Sequence, residues 1–500
     1  MLNAMTSQFI NFSQFKELSI KFSIQQKRFF LKAFWVVSAL SFFTIVTSQA
    51  DALSIVSALI IAVAALYPSY LWCRDRAKGL PLFPLLAFNY LFTHSFPLVA
   101  NNFKVQEYSS TEHFVASLIT ASFLGIATFT WLSYVTKTPT NFSTNLKEFD
   151  NKQVFTFFIG ILIVRIIYQV TFSSGYLWLL LPNSIVSAIR VITGGISLFA
   201  VITLGYLMGQ KVLTKNQSKL FLIVIAILIF VSGASLYLNI PGFYILFASI
   251  GWMLGSKKVP WKLYIILFLI LAFLNQGKGA TRDYYWRIRN SQIQASEYVQ
   301  VYQDWIDNSL EAMQQPHEFL LEEEIVEDEN KHGSIINRSS VVEMLLKVQT
   351  QTGIEKPYLW GKTYFIIPQL LVPRFLNPNK IRGGEANHIL SIYYGLQNYR
   401  QTLTTSIGWG LLQEAYANFG WLGCLGLGAF LGNVYGWITR WSMNCSTLSF
   451  RFLVALIFLT LAFRTELTMG IFISVIFNSL VILSMIRMFF MKTNFRKPAI

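Results

Sequence analysis

Along most of its length the chain alternates runs of about 17–25 apolar residues with short polar turns that often carry Lys or Arg, the pattern of repeated bilayer crossings. Twelve such runs can be marked, near residues 30–48, 53–72, 80–100, 113–135, 153–173, 185–208, 219–237, 241–255, 261–275, 406–439, 451–466 and 469–488. Runs this long and this uniformly apolar predict transmembrane α-helices rather than strands. The expected fold class is therefore an all-α polytopic membrane protein of about 12 transmembrane helices. One stretch breaks the pattern: residues 276–405 are polar, proline-interrupted and far longer than any other connection. The predicted organisation is an N-terminal bundle (1–275, about nine spans), a large external loop of short and re-entrant helices (276–405) and a C-terminal group (406–500, about three spans).

Composition agrees with this pattern. Of the 500 residues 54% are hydrophobic and 13% charged, against about 25% charged in soluble proteins, and the mean hydropathy is +0.49. The net charge of +16 would suggest nucleic acid in a soluble chain, but here topology accounts for it. With both termini cytoplasmic, the cytoplasmic segments hold 23 of the 40 Lys and Arg, the short external loops hold only Lys104 and Arg464, and Arg165 and Arg190 fall inside spans. That is the positive-inside distribution, and it leaves the external face net acidic. The basic N-terminus before the first run is longer than a signal-peptide n-region, so a retained first span is expected. Cys73, Cys424 and Cys445 stand far apart, which argues against a disulfide framework or a zinc pair.

The external segment is where chemistry can be built. It opens with Arg282, Tyr284, Tyr285, Trp286, Arg287 and Arg289. Guanidinium groups fork onto phosphate oxygens and aromatic rings can cover sugar faces; an interfacial belt at headgroup depth is the alternative. The acidic run from Glu322 to Glu329 has no metal-ligand spacing and is expected to be solvated, so no metal is assigned. Residues 335–350 read as an amphipathic helix ended by Gly353, and residues 363–380 as a short helix that returns to the membrane face with Arg374 and Lys380 at its end.

Three charges lie within predicted spans. Glu414 stands about 12 Å inside the outer boundary, with Asn418 one turn further on the same face. A carboxyl at such depth is expensive and marks either a functional site or a structural ion pair, for which Arg165 and Arg190 are the available partners. The two arginines could equally hold an anionic ligand or snorkel to headgroups. Gly428, Gly432 and Gly436 form a small-residue row that predicts close helix packing.

Four stretches together resemble a known family: Pro357-Tyr358-Leu359-Trp360-Gly361-Lys362-Thr363-Tyr364, Val372-Pro373-Arg374-Phe375-Leu376-Asn377-Pro378-Asn379-Lys380, Thr405-Ser406-Ile407-Gly408, and Glu414-Ala415-Tyr416-Ala417-Asn418-Phe419-Gly420. In order and spacing they resemble the Wzy-type oligosaccharide repeat-unit (O-antigen or exopolysaccharide) polymerases, with Asn377 where that family often has Trp. The motif-bearing part covers about residues 335–440.

The resemblance implies a GT-C-like membrane glycosyltransferase in the bacterial cytoplasmic membrane, with its active site on the periplasmic side. Such an enzyme moves a glycan from undecaprenyl diphosphate onto another undecaprenyl-diphosphate-linked repeat unit. It also implies a chain-length regulator and a flippase as possible partners, no nucleic acid and no cofactor. The first external loop offers one carboxylate, Asp51, where related metal-dependent enzymes carry acidic pairs, so arginines are expected in the metal's place. On this reading Arg374, Lys380, Arg282, Arg165 and Arg190 are candidates for diphosphate binding, and Glu414 or His388 for the catalytic base. A ligase using the same donor, or a lipid-linked glycan flippase, are the alternatives.

Overall fold

Runs of Leu, Ile, Phe, Val and Ala without interior breakers close their own backbone hydrogen bonds as helices, which hydrocarbon requires. In a computed structural model, described here for residues 22, 24–137, 145–149, 154–173, 182–289, 293–314, 339–372, 377, 380–445 and 449–495, the chain is helical apart from one small ribbon. In order the helices are α1 (Ile24–Val46), α2 (Ala52–Cys73), α3 (Leu82–Tyr90), α4 (Phe103–Gln106), α5 (Ser110–Val135), α6 (Val154–Ser173), α7 (Asn183–Gly209), α8 (Lys215–Gly233) and α9 (Asn239–Ser256). Then follow α10 (Trp261–Arg282), α11 (Tyr298–Gln314), α12 (Val342–Gln351), α13 (Ile367–Leu371), α14 (Glu385–Tyr393), α15 (Tyr399–Thr404), α16 (Leu411–Trp441), α17 (Phe450–Leu461) and α18 (Met469–Phe490). Strands β1 (Asn145–Phe149) and β2 (Met491–Phe495) pair with each other.

Among the described residues, eight helices are long and apolar enough to cross a membrane, with three shorter apolar stretches at Thr193–Gly209, Ile240–Ser256 and Phe450–Leu461. This establishes a multi-pass α-helical membrane protein. The run predicted at 80–100 is not one straight helix. It passes from α3 into a π turn at Leu91–Ser95 and a 3-10 turn at Phe96–Leu98, where Pro97 has no N–H to continue an α-helical ladder. The acidic run from Glu322 to Glu329 lies outside the described residues.

The chain divides into two compact units, and the division cuts through the 276–405 segment. Unit 1 comprises residues 1–18, 148–333 and 490–492; unit 2 comprises 19–147, 334–489 and 493–500. In unit 2, α16 packs along α5 with its glycine row inward. A Cβ on Gly428 would lie 2.6 Å from the Phe123 carbonyl oxygen, one on Gly432 would overlap the Ala127 carbonyl, and one on Gly436 would meet Tyr134 at 2.8 Å. Unit 1 contains an equivalent device. Gly205 and Gly209 of α7 face Gly251 and Gly255 of α9, and a Cβ at Gly205 or Gly209 would come within 2.6 Å or 2.5 Å of the opposing backbone oxygens of Ala248 and Trp252. Small residues on both helices let the backbones approach closely, and van der Waals contact then replaces the hydrophobic driving force that lipid does not supply.

Gly432→Val is expected to destabilise the protein by about 1–3 kcal/mol through overpacking. Gly125→Ala, where an added Cβ has nothing within 4 Å, should lie within about 1 kcal/mol of wild type. Thermal unfolding in detergent checks the pair; equal melting of the two variants would refute the packing argument.

Candidate functional site

The first half of α16 is set by two glycines. Gly410 (φ +99°) turns the chain into the helix, and Gly420 (φ +60°, ψ −147°) breaks it nine residues after Leu411. The second conformation is open in practice to glycine alone. The carbonyls of Ala417 and Asn418 lie just before the break, and the external segment pairs with them. Leu359 N–H donates to Ala417 O at 3.0 Å and Trp360 N–H to Asn418 O at 3.2 Å. Tyr358 lies over the break, 3.0 Å from where a Cβ on Gly420 would stand.

Asn418 completes this clasp. Its Oδ1 accepts the Gly361 N–H at 3.0 Å, and its Nδ2 donates to Thr363 Oγ1 at 2.8 Å and to the Glu414 carbonyl at 2.7 Å. Two stretches that carried the resemblance, 357–364 and 414–420, are thus held together by backbone and amide bonds. Beneath them Met344, Val348, Leu390, Tyr394, Trp409 and Ala417 form one buried cluster, so α12 and α14 of the external segment support this half-helix.

Glu414 is fully buried. Its Oε2 accepts the Met469 N–H at 2.5 Å. Its Oε1 meets no donor in hydrogen-bond geometry among the described residues. Gln413, one residue earlier, donates from Nε2 to His94 Nε2 at 2.9 Å and to the Val341 carbonyl at 3.0 Å. His94 sits in the π turn that replaces the end of α3, a kind of irregularity often found at functional sites.

The remaining unit 2 candidates stand as follows. His388, half-buried on α14, is 3.6 Å from Glu385 on its own helix. Its neighbour Asn387 donates to Ile407 O at 2.9 Å and accepts from Thr468 Oγ1 at 2.8 Å, one residue before the N–H that binds Glu414. The sequence offered no signal for Asn387 or His94, because an isolated Asn or His has no spacing to read. Lys380 is half-buried, with its N–H bonded to the Asn377 carbonyl at 3.1 Å. Arg374 lies outside the described residues.

The other arginines belong to unit 1, and two of them line one cavity there, about 610 Å³ in volume. It lies where α6 and α8 end and α7 and α9 begin. Arg165, Tyr168, Gln169 and Phe172 present one face of α6 to it, at the i, i+3, i+4 and i+7 spacing that stacks side chains. Arg190 of α7, the end of α8, and Tyr237, Trp286 and Tyr298 add to the wall, and no carboxylate is among the described lining residues.

Arg165 is placed over the Tyr168 ring at 5.6 Å and reaches Thr193 Oγ1 at 3.5 Å, while its buried Nε has no partner among the described residues. Arg282 acts differently. Its Nε and Nη2 both donate to the Leu236 carbonyl, at 3.0 and 2.7 Å, and its guanidinium stacks on Tyr237 and Trp286. It therefore braces the turn that forms part of the wall. The seven predicted residues fall into two groups: Arg165, Arg190 and Arg282 in unit 1, and Arg374, Lys380, His388 and Glu414 in unit 2.

Among the described residues no three His, Cys, Asp or Glu side chains group as metal ligands. No family model matches the chain, and no curated protein or solved structure matches it either.

Two predictions follow from the unit 2 geometry. Gly420→Ala should cost about 1–3 kcal/mol in backbone strain and loosen residues 357–364, seen as faster proteolytic cleavage within that stretch; unchanged cleavage would show that the clasp does not hold it. On α12, burial pushes the Glu343 carboxyl above its ordinary range, a larger effect than that of nearby Lys104, which opposes it. Above the pH at which a free glutamate ionises, the folded state keeps a proton that the unfolded chain has lost, so stability falls as pH rises through the elevated value. Glu343→Gln should flatten that part of the melting-temperature profile; an unaltered slope would assign it to other groups.

Proposed function

We propose that this protein is a membrane glycosyltransferase that polymerises oligosaccharide repeat units. It moves a glycan from undecaprenyl diphosphate onto another undecaprenyl-diphosphate-linked unit at the outer face of a bacterial cytoplasmic membrane. The observation that carries the proposal is the convergence on Asn418. Sequence pieces more than fifty residues apart, which together with their order and spacing resemble the family, meet in one hydrogen-bonded arrangement beside a buried carboxyl. The cavity of unit 1 supports the same reading, because the two arginines and the aromatic rings among its described lining residues suit a phosphorylated sugar better than a neutral solute.

In the transfer, an acceptor hydroxyl oxygen bonds to the anomeric carbon of the donor sugar. The bond from that carbon to the diphosphate oxygen breaks, and its electron pair leaves with undecaprenyl diphosphate. Arg374 and Lys380, which belong to the same unit as Glu414, neutralise the diphosphate as charge builds on it; Arg165 and Arg190 of unit 1 are separate candidates for holding a lipid-linked diphosphate. Glu414 takes the hydroxyl proton. Because its carboxyl is closed off by Met469 and the 357–364 clasp, it meets substrate only when these contacts part. Arg282 keeps its place in the proposal as a brace for the cavity wall.

The test is polymer formation by the purified protein from a single lipid-linked repeat unit. Arg165→Ala, Arg190→Ala, Arg374→Ala and Glu414→Gln should each lower the rate about 100-fold or more at normal protein levels. Cells lacking the protein should accumulate single repeat units. Unattached long chains in such cells would make it a ligase, and transport without bond formation a flippase; either outcome overturns the proposal.

A further inference from the structure

The helical segment that carries Glu414 is a separate piece of α16. It runs from Leu411 to Phe419 between Gly410 and Gly420, both at positive φ, so continuity with the lower half of the helix does not fix its rotation about its own axis. Two side-chain tethers hold it. One is Asn418, which closes on residues 357–364. The other is Gln413, whose amide nitrogen donates to the Val341 carbonyl at 3.0 Å and to His94 Nε2 at 2.9 Å. At 3.6 residues per turn, Glu414 stands about 100° round the helix from Gln413 and about 40° short of Asn418. The carboxyl therefore lies in the arc between the two tethers.

The His94 end of the second tether admits one protonation state. The Val341 carbonyl can only accept, so the Gln413 amide turns its nitrogen, not its oxygen, toward this corner. His94 Nε2 must then accept, and carries no proton. On the other side of the ring, Thr93 Oγ1 donates its single hydrogen to the Asn89 carbonyl at 3.0 Å, so at 2.8 Å it accepts from His94 Nδ1–H. The imidazole is thus a neutral Nδ1–H tautomer with a partner at each nitrogen, and Tyr90 stacks on its face with 4.4 Å between ring centroids. The Val341 N–H donates to the Thr93 carbonyl at 3.0 Å. Together these bonds join the π turn, the start of α12 and the upper part of α16. His94 and Gln413 are both buried, where a donor or acceptor deprived of its partner is costly.

We propose that His94 is a positioning residue. Acting through Gln413, it holds the Leu411–Phe419 segment at the rotation that presents Glu414 to substrate, and it touches no reacting atom itself. Its catalytic consequence rests on the polymerase reading. A misplacement of about 1 Å at a catalytic group costs on the order of 100-fold in rate, so loss of the tether acts on kcat and leaves KM nearly alone.

The experiment follows polymer formation from a purified lipid-linked repeat unit by the full-length protein in phosphatidylcholine nanodiscs. His94→Leu and Gln413→Leu should each lower kcat about ten-fold or more, with KM within about two-fold of wild type. The double variant should be no slower than the slower single one, because the two residues act as one tether. His94→Gln, whose side-chain oxygen can accept in place of Nε2, should recover kcat to within about three-fold of wild type. His94→Asn, which can serve Thr93 but is too short for Gln413, should not. The Gln and Asn pair keeps the test open if the leucine variants fail to fold. Wild-type kcat in His94→Leu, single losses that multiply in the double variant, or rescue by Asn equal to that by Gln would each overturn the inference.

A second readout needs no substrate. Dicyclohexylcarbodiimide, an apolar reagent for carboxyl groups, should modify Glu414 about ten-fold faster in His94→Leu than in wild type, because the closed arrangement opens more often; mass spectrometry of the labelled peptide measures it. Unchanged labelling overturns the tether itself. Absence of polymer from wild type removes the polymerase reading, and with it the catalytic role of His94, whatever the labelling shows.

Discussion

A backbone carbonyl inside a membrane protein must find a donor within the protein, because hydrocarbon offers none. In this chain that requirement bears on one place above all. Gly420 breaks α16 just after Ala417 and Asn418, whose carbonyls accept hydrogen bonds from outside the helix. The N–H groups of Leu359 and Trp360 are the donors. A segment that reads as an external loop is thereby joined to a membrane helix, and the side chains of Thr363, Asn418 and Glu414 take their positions from that joint. Without the break, Gly361 and Thr363 would have no reason to meet Asn418.

The two units share a method of construction. In each, one pair of helices approaches so closely that an added Cβ would collide with opposing backbone: α5 with α16, and α7 with α9. Such contacts are insensitive to side-chain rearrangement because they are made by the backbone itself. They give α16 a rigid lower half, so that the break at Gly420 displaces the upper half rather than loosening the whole helix. In unit 1 they fix α7 and α9, whose first turns form part of the arginine-lined cavity.

Arginines that look alike in the sequence have different roles because of their surroundings. Arg282 gives two donors to one carbonyl and rests on two rings, so it organises the wall. Arg165 lines the cavity, placed over the Tyr168 ring and within 3.5 Å of Thr193 Oγ1. The carboxyl of Glu414 also departs from the simplest expectation. Among the described residues its hydrogen-bonding partner is a backbone N–H rather than a cation, so a structural ion pair is not what keeps it in the helix.

Much of this protein was legible from the chain alone. Span length and the glycine row of α16 are local or periodic signals, and the bilayer enforces them strongly because violations are costly. The isolation of Glu414 in an apolar helix could also be read. The sequence could not show that residues near 357–364 close on Asn418, that Gly205 and Gly209 face Gly251 and Gly255, that the run at 80–100 ends in π and 3-10 turns, or that Arg165, Tyr168 and Gln169 line a cavity. Each of these depends on which distant backbone or side-chain group completes a hydrogen bond or tolerates a close approach. What the sequence by itself determined is the membrane class and the inventory of charged and small residues. Only the tertiary structure decided which of them meet, because a hydrogen-bond partner or a cavity wall is a property of two or more chain segments and is written in none of them singly.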